Sequence, residues 1–250
     1  MIEARDLTVR FGPVTAVDGV SLTVADHGVL GLVGPNGSGK TTLLRCLYGA
    51  LGPTSGAVLL DGTPLSAMHR RAVARRIAVV AQEHPDPATP ISVAELVMLG
   101  RLPHQGIMAQ TTDKDRTTVV GALESVGLGA LAARDVAVLS GGERQRALIA
   151  RALAQQAGHV LLDEPTNHLD IRFQHDVLEL VSELPGAAVV LHDLNLAARY
   201  CDRIVVLDAG KVVAAGTPSQ VLVPEILEPV YKVRVRRVEF DGEMHLLFPR

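Results

Sequence analysis

Gly34-Pro35-Asn36-Gly37-Ser38-Gly39-Lys40-Thr41 matches the pattern G-x-x-x-x-G-K-[ST] at every fixed position. The five residues before it, Val29-Leu30-Gly31-Leu32-Val33, form a short apolar run that reads as a buried strand. Residues 41–51 carry helix formers, with Leu43, Leu44 and Leu47 spaced for one face. Strand, glycine-rich loop and helix in that order make a phosphate cradle. The glycines let backbone N–H groups curl round an anion. The helix N-terminus adds its partial positive charge. In this setting Lys40 is expected to reach β- and γ-phosphates and the Thr41 hydroxyl to ligate Mg²⁺.

Working outward, strands and helices alternate on both sides. Ile2, Ala4, Leu7, Val9 and Phe11 alternate loosely, and Val20-Ser21-Leu22-Thr23-Val24 more cleanly. These predict half-buried strands of an antiparallel layer. Residues 57–60 give another strand, ended by Asp61-Gly62. Residues 66–76 read as a basic helix whose arginines form a solvated face. A buried strand at 77–80 leads directly to Gln82. Three prolines then break regular structure before a helix that opens on the capping box Ser92-Val93-Ala94-Glu95. Two more helices are predicted, over 114–126 and after Ser140. The α/β pattern resumes with strands at 160–163, 187–191, 204–207 and 211–215 and helices at 171–184 and 194–200. Short helices follow near Ser219 and Pro224, then a hairpin about Asp241-Gly242.

The expected fold is α/β, with a parallel-sheet core of the P-loop NTPase kind. An N-terminal antiparallel β layer and an inserted α-helical subdomain complete it. The expected division is a core over 1–85 and 157–220, a helical insertion over 86–156 and a C-terminal extension over 221–250.

Composition sets the outer bounds. The chain has 250 residues, 48% of them hydrophobic, and a net charge of −3, so nothing calls for nucleic acid or an anionic membrane as partner. The N-terminus lacks the form of a secretion signal, and no apolar run approaches the ~18 residues of a membrane span. Cys46 and Cys201 read as small core residues in a reducing compartment. His84, His104, His168 and His175 show no ligand spacing with a supporting carboxylate and receive no metal role.

Chemistry concentrates at strand ends. Asp163 closes an apolar strand and is placed to hold Mg²⁺; Glu164 follows it and can orient or deprotonate an attacking water. His192 ends the next strand, where it can donate to a γ-phosphate oxygen. The amide oxygen of Gln82 can ligate Mg²⁺ from a loop able to move with nucleotide state. Ser140 is an N-cap with two glycines behind it, Gly141 and Gly142, and so opens a second anion-seeking helix terminus. Two such termini in one chain suggest a dimer that shares its nucleotide.

With Leu139-Ser140-Gly141-Gly142-Glu143-Arg144-Gln145 in place, the chain resembles the ATP-binding-cassette ATPases over nearly its whole length. The motifs stand in that family's order: Phe11 as the adenine-stacking aromatic, then 34–42, Gln82, 139–145, Asp163-Glu164, Leu169-Asp170 and His192. The resemblance implies ATP and Mg²⁺ as cofactors. Gly34, Asn36, Gly37, Ser38, Gly39, Lys40, Thr41 and Thr42 would hold the phosphates, and Glu164, His192 and Gln82 would serve hydrolysis. It also implies a head-to-tail homodimer in which Ser140, Gly141 and Gly142 of one subunit close over the nucleotide of the other. Two positions depart from the family's habit. Phe11 stands where tyrosine is commoner, and Ala81 precedes Gln82 where proline is frequent.

Within the family, Glu95 to His104, Glu164 to Asp170 and His192 to Tyr200 look like the ATPases of bacterial importers for iron–siderophores, haem and cobalamin. Thr166-Asn167-His168 favours the siderophore branch. The implied partners are transmembrane permease subunits, docking between Gln82 and His104, and indirectly a periplasmic or lipoprotein binding protein. No nucleic acid is expected, and the implied place is the cytoplasmic face of the membrane. Haem or cobalamin import is the alternative cargo. A soluble ATPase of the same family acting on nucleic acid or ribosomes is the alternative from another class. Such proteins usually carry tandem cassettes, coiled-coil insertions or basic extensions, which this chain lacks. A purely regulatory ATP-binding module is disfavoured because Glu164 and His192 are both present.

Overall fold

A computed structural model describes residues 1–81, 90–105, 110–167 and 169–249. The elements run β1 (Ile2–Phe11), β2 (Val14–Val24), β3 (Gly28–Val33), α1 (Lys40–Leu47), β4 (Ser55–Leu60), β5 (Thr63–Pro64), α2 (Arg70–Ala74) and β6 (Ile77–Val80). Next come α3 (Val93–Met98), α4 (Asp113–Ser125), α5 (Gly141–Ala154), β7 (His159–Asp163), α6 (Ile171–Ser182), β8 (Gly186–Val190), α7 (Leu194–Tyr200) and β9 (Arg203–Asp208). The chain closes with β10 (Lys211–Gly216), α8 (Pro218–Val221), α9 (Pro224–Tyr231), β11 (Arg236–Phe240) and β12 (Glu243–Leu247).

Strands that alternate with helices return to the same sheet by crossovers, which makes them parallel. The order of the main sheet is β10-β9-β3-β8-β7-β6. β3 pairs in parallel with β8 and β9, and β7 in parallel with β6 and β8. β10, joined to β9 by a tight turn, runs antiparallel. Both faces of this sheet are covered, so its strands read as continuous apolar runs: every residue of β7 and β8 is buried. Leu30, Leu32, Leu161, Ala188 and Val190 face α1 and a second, antiparallel sheet of order β2-β1-β4-β5. Val33, Val160, Leu162, Val189 and Val206 share a core with α3, α4, α5 and α6 on the other face.

The loose alternation of β1 has a physical cause. The register slips between Ala4 and Leu7 and again between Leu7 and Val9. A bulge inserts the extra residue, so Ile2, Ala4, Leu7 and Val9 all reach the core despite their uneven spacing. The three helices α3, α4 and α5 each open on a reciprocal capping box: Ser92 with Glu95, Thr112 with Asp115, Ser140 with Glu143. Both cysteines are buried, which pushes their thiols up to about 11 for Cys46 and about 12 for Cys201 and keeps them protonated.

Two expectations need correction. The helix expected over 41–51 stops at Leu47, because the amides of Ala50 and Leu51 turn back onto the Arg45 carbonyl. The basic stretch 66–76 holds the end of a 3₁₀ turn (Leu65–Ala67) and the short α2 rather than one helix, and its arginines are not simply solvated. The Nε groups of Arg71 and Arg75 both donate to the Pro103 carbonyl, at 2.9 and 2.8 Å, and Arg76 pairs with Asp61.

The C-terminal hairpin forms as expected. Asp241 and Gly242 both take positive φ, 52° and 77°, the two-residue turn whose twist suits a hairpin. It is held to α7 by Asn195, whose amide accepts from Leu246 N at 2.7 Å and donates to Leu246 O at 3.2 Å. No helix among the described residues is long and apolar enough to cross a membrane.

Candidate functional site

β3, β8 and β7 are neighbours. Their C-terminal ends therefore deliver the loop 34–39, His192 and the pair Asp163-Glu164 to one edge of the sheet, where parallel α/β sheets gather ligands. Gly34 starts the loop at φ 150°, and a Cβ there would sit 2.1 Å from the Leu207 carbonyl oxygen, so no other residue fits. The loop ends on Lys40, the first residue of α1.

Lys40 is only 5% exposed. Its ammonium donates to the carbonyls of Gly34 and Pro35 at 2.8 and 2.9 Å, which suspends it over the loop. Burial pulls its pKa below the ordinary lysine value, and the charges of Glu164 and Asp163 work against that pull. Thr41 donates its hydroxyl to Asp163 Oδ1 at 2.9 Å. Burial pushes the Asp163 carboxyl up; the Thr41 hydroxyl opposes this and the neighbouring Glu164 adds to it. A buried carboxylate so incompletely compensated is suited to a cation. The Ser38 hydroxyl is also buried and has no hydrogen-bond partner among the described residues. Buried polar atoms rarely stay unsatisfied, so this orphan inside a cationic cradle fits an oxygen-rich anion.

A cavity of about 320 Å³ opens at this edge, lined by Phe11, Asn36, Gly37, Lys40, Thr42 and Glu164 among others. Phe11, at the end of β1, is 52% exposed and offers a free ring face there.

Glu164 steps off β7 in the left-handed region, φ 52°. Both its carboxylate oxygens are engaged. His192 Nε2 lies 2.6 Å from Oε1, and the Asn167 side-chain amide donates to Oε2. In the sequence Asn167 marks only a branch of the family, and this contact goes unseen. The available signal was its place three residues after Glu164 in a turn, where Asn167 N donates to Glu164 O at 3.2 Å.

Ser140 caps α5 as expected: Glu143 N donates to its hydroxyl at 3.3 Å, and Ser140 N donates to Glu143 Oε2 at 2.8 Å. Ser140, Gly141 and Gly142 do not line the cavity at Lys40. Asp170 caps α6 by accepting from Phe173 N at 3.0 Å. Gln82 lies outside the described residues.

The model of the ABC transporter family matches residues 17–167 of the chain. The ferric enterobactin transport ATP-binding protein FepC of Escherichia coli K12 is 41% identical, over 93% of this chain and 88% of that protein. The hemin import ATP-binding protein HmuV of Pseudomonas fluorescens Pf0-1 is 46% identical, over 94% of each. A bacterial ABC transporter cassette solved as a dimer superposes with a TM-score of 0.77 at 27% identity, covering 87% of this chain and 99% of that one.

Proposed function

This chain belongs to the ABC transporter family, and on that premise we propose that it is the ATP-hydrolysing subunit of an importer for an iron chelate. It is an ATPase whose hydrolysis is coupled to transport. The observation that carries the site assignment is the convergence of Lys40, Thr41 bonded to Asp163, and Glu164 bonded to His192 on one sheet edge.

In this reading the loop amides and Lys40 bind the phosphates, Ser38 contributes its unpartnered hydroxyl, and Phe11 carries the adenine on its exposed face. Thr41 and Asp163 would hold Mg²⁺, with Gln82 as a further ligand, and the ion would supply positive charge against the phosphate oxygens. Glu164 takes a proton from the attacking water, and His192 orients it through the 2.6 Å contact. The α5 terminus, with Ser140, Gly141 and Gly142, completes the site of a second copy packed head to tail. Its exposed cap, and the absence of these three residues from the cavity lining at Lys40 of their own chain, support that arrangement.

The shared site has a direct test. Ser140→Arg is expected to leave ATP binding to the monomer intact, since the Lys40 loop is untouched. It is expected to abolish ATP-driven dimerisation in the Glu164→Gln background. A dimer of that double variant on size exclusion with ATP would overturn the head-to-tail reading.

The permease is proposed to dock beside α3. Val93, Leu96 and Val97 are buried in the core and are not available. Leu99 and Leu102, 43% and 58% exposed, are. They line a groove of about 680 Å³ with Leu65, Met68, Val73 and Pro103, open to one short amphipathic helix from the permease. Leu102→Glu is therefore expected to leave the ATPase of the isolated subunit unchanged while co-purification with the permease and uptake fail. Unchanged uptake at normal expression would refute this dock. Such docking would place the subunit on the cytoplasmic face of the membrane, with the binding protein reached only through the permease. The names of the relatives support a ferric siderophore, haem or cobalamin as cargo, and Thr166-Asn167-His168 favours the siderophore. A deletion strain that grows on ferric siderophores but fails on haem would reverse that choice.

A further inference from the structure

The N-terminal turn of α5 rests on one aromatic ring. A Cβ placed on Gly142 would lie 2.9 Å from Phe173 Cγ and 3.1 Å from both Cδ atoms, so the ring of Phe173 takes the space that any side chain at 142 would need. One turn further along α5, the Arg146 guanidinium stacks over the same ring at 5.4 Å from its centroid. Arg146 Nε is buried without a hydrogen-bond partner among the described residues, and the stacking on Phe173 is one of the contacts that place this side chain.

Phe173 stands in the first turn of α6, and what precedes α6 is the segment carrying Glu164. That segment is bonded stepwise. The Asn167 side chain donates to Glu164 Oε2, and Asn167 N donates to Glu164 O. Gln174 Nε2 donates to Thr166 O at 3.4 Å, and Asp170 Oδ1 accepts from Phe173 N at 3.0 Å. The Glu164–Asn167 turn is thus hydrogen-bonded to the first turn of α6 at Gln174, next to Phe173. Phe173 fills the space beside Gly142 that a side chain there would need, so a shift of the first turn of α6 changes the packing of the α5 turn.

We propose that Phe173 is a positioning residue that sets the N-terminal turn of α5. Through that contact the state of Glu164 in one nucleotide site is transmitted to the Ser140–Gly142 turn that closes the other. The inference rests on the shared-site dimer proposed above. Glu164 serves the nucleotide bound by its own chain, and the α5 turn serves the partner's, so one chain's Phe173 contact spans both sites. A ring wedged between two elements with separate ligands is a physical link that both ligands can bias.

The test uses the full chain. In the Glu164→Gln background, Phe173→Ala is expected to weaken ATP-driven dimerisation by about tenfold while ATP affinity of the monomer stays within about twofold. Phe173→Tyr, which keeps the ring, is expected to dimerise like its parent. A second measurement needs no dimer. Amide hydrogen exchange over 141–146 in the isolated subunit is expected to quicken in Phe173→Ala and not in Phe173→Tyr. If Glu164→Gln alone fails to dimerise with ATP, the shared-site reading falls and the transmission falls with it. The exchange result still decides whether Phe173 sets the turn. If Glu164→Gln dimerises and Phe173→Ala leaves both dimerisation and exchange at parent values, this proposal alone is overturned. If Phe173→Tyr loses dimerisation as fully as Phe173→Ala, the ring contact is not what matters and the proposal is overturned as well.

Discussion

Replacing Glu164 by glutamine is expected to lower steady-state phosphate release by about two to four decades, the span typical of losing a general base. The substitution is nearly isosteric. The amide that replaces the carboxylate would still offer oxygen to His192 and could still meet the Asn167 side chain, so the turn after β7 keeps its geometry. ATP binding is expected to persist, because the proposed phosphate cradle is built from the loop 34–39 and Lys40, whose hydrogen bonds to Gly34 and Pro35 the change leaves in place. An ATP-bound dimer that forms and does not turn over should accumulate. Turnover near that of the parent in a phosphate-release assay, with binding intact, would remove Glu164 from the catalytic role.

The second large effect is on stability and lies beside the proposed permease groove. Arg101 and Asp115 are 4% and 5% exposed and form an ion pair at 2.8 Å. Arg101 also donates to the Ala154 carbonyl at 2.7 Å and to Gln156 Oε1 at 2.9 Å, which ties the segment after α3 to the end of α5. Asp115 in turn accepts from the Thr112 amide and hydroxyl at the start of α4. Removing Arg101 leaves a buried carboxylate unpaired, which costs about 3–5 kcal/mol. For a chain of this size Arg101→Met should therefore lower the melting temperature by roughly 6–20 °C. The guanidinium, together with the Thr112 donors, holds the Asp115 carboxyl well below the usual carboxylate range. Since the folded pKa lies below the unfolded one, this contribution is complete above about pH 4 and is lost as the pH falls further. The gap between parent and Arg101→Met should shrink in the same window. Asp115→Asn combined with Arg101→Met should recover part of the loss, because no charge is then left buried. A melting temperature within about 2 °C of the parent for Arg101→Met at pH 7 would show that the pair is not what holds these helices together.

Local pattern alone determined a good deal. The phosphate loop, the buried strands around it, the capping box at Ser92, the N-cap at Ser140 and the Asp241-Gly242 hairpin are all legible, because each is a short-range rule. Periodicity reports which side chains must be buried, and special backbone conformations require particular residues. The strand ends at Asp163 and His192 were legible for the same reason, each a polar residue closing an apolar run. Tertiary structure decided the rest. Strand order is invisible to any local pattern, yet the order β3-β8-β7 is what brings Lys40, His192 and Glu164 to one edge. The bulges of β1 rest on its pairing with β2, the tethering of Arg71 and Arg75 on the placement of Pro103, and the burial of Arg101 on Asp115 fourteen residues away. The choice between core and groove among the apolar residues at 91–102 was likewise made by packing. Val93 and Leu96 turn inward and Leu99 and Leu102 do not, and helical spacing cannot tell which of two apolar faces finds a neighbour.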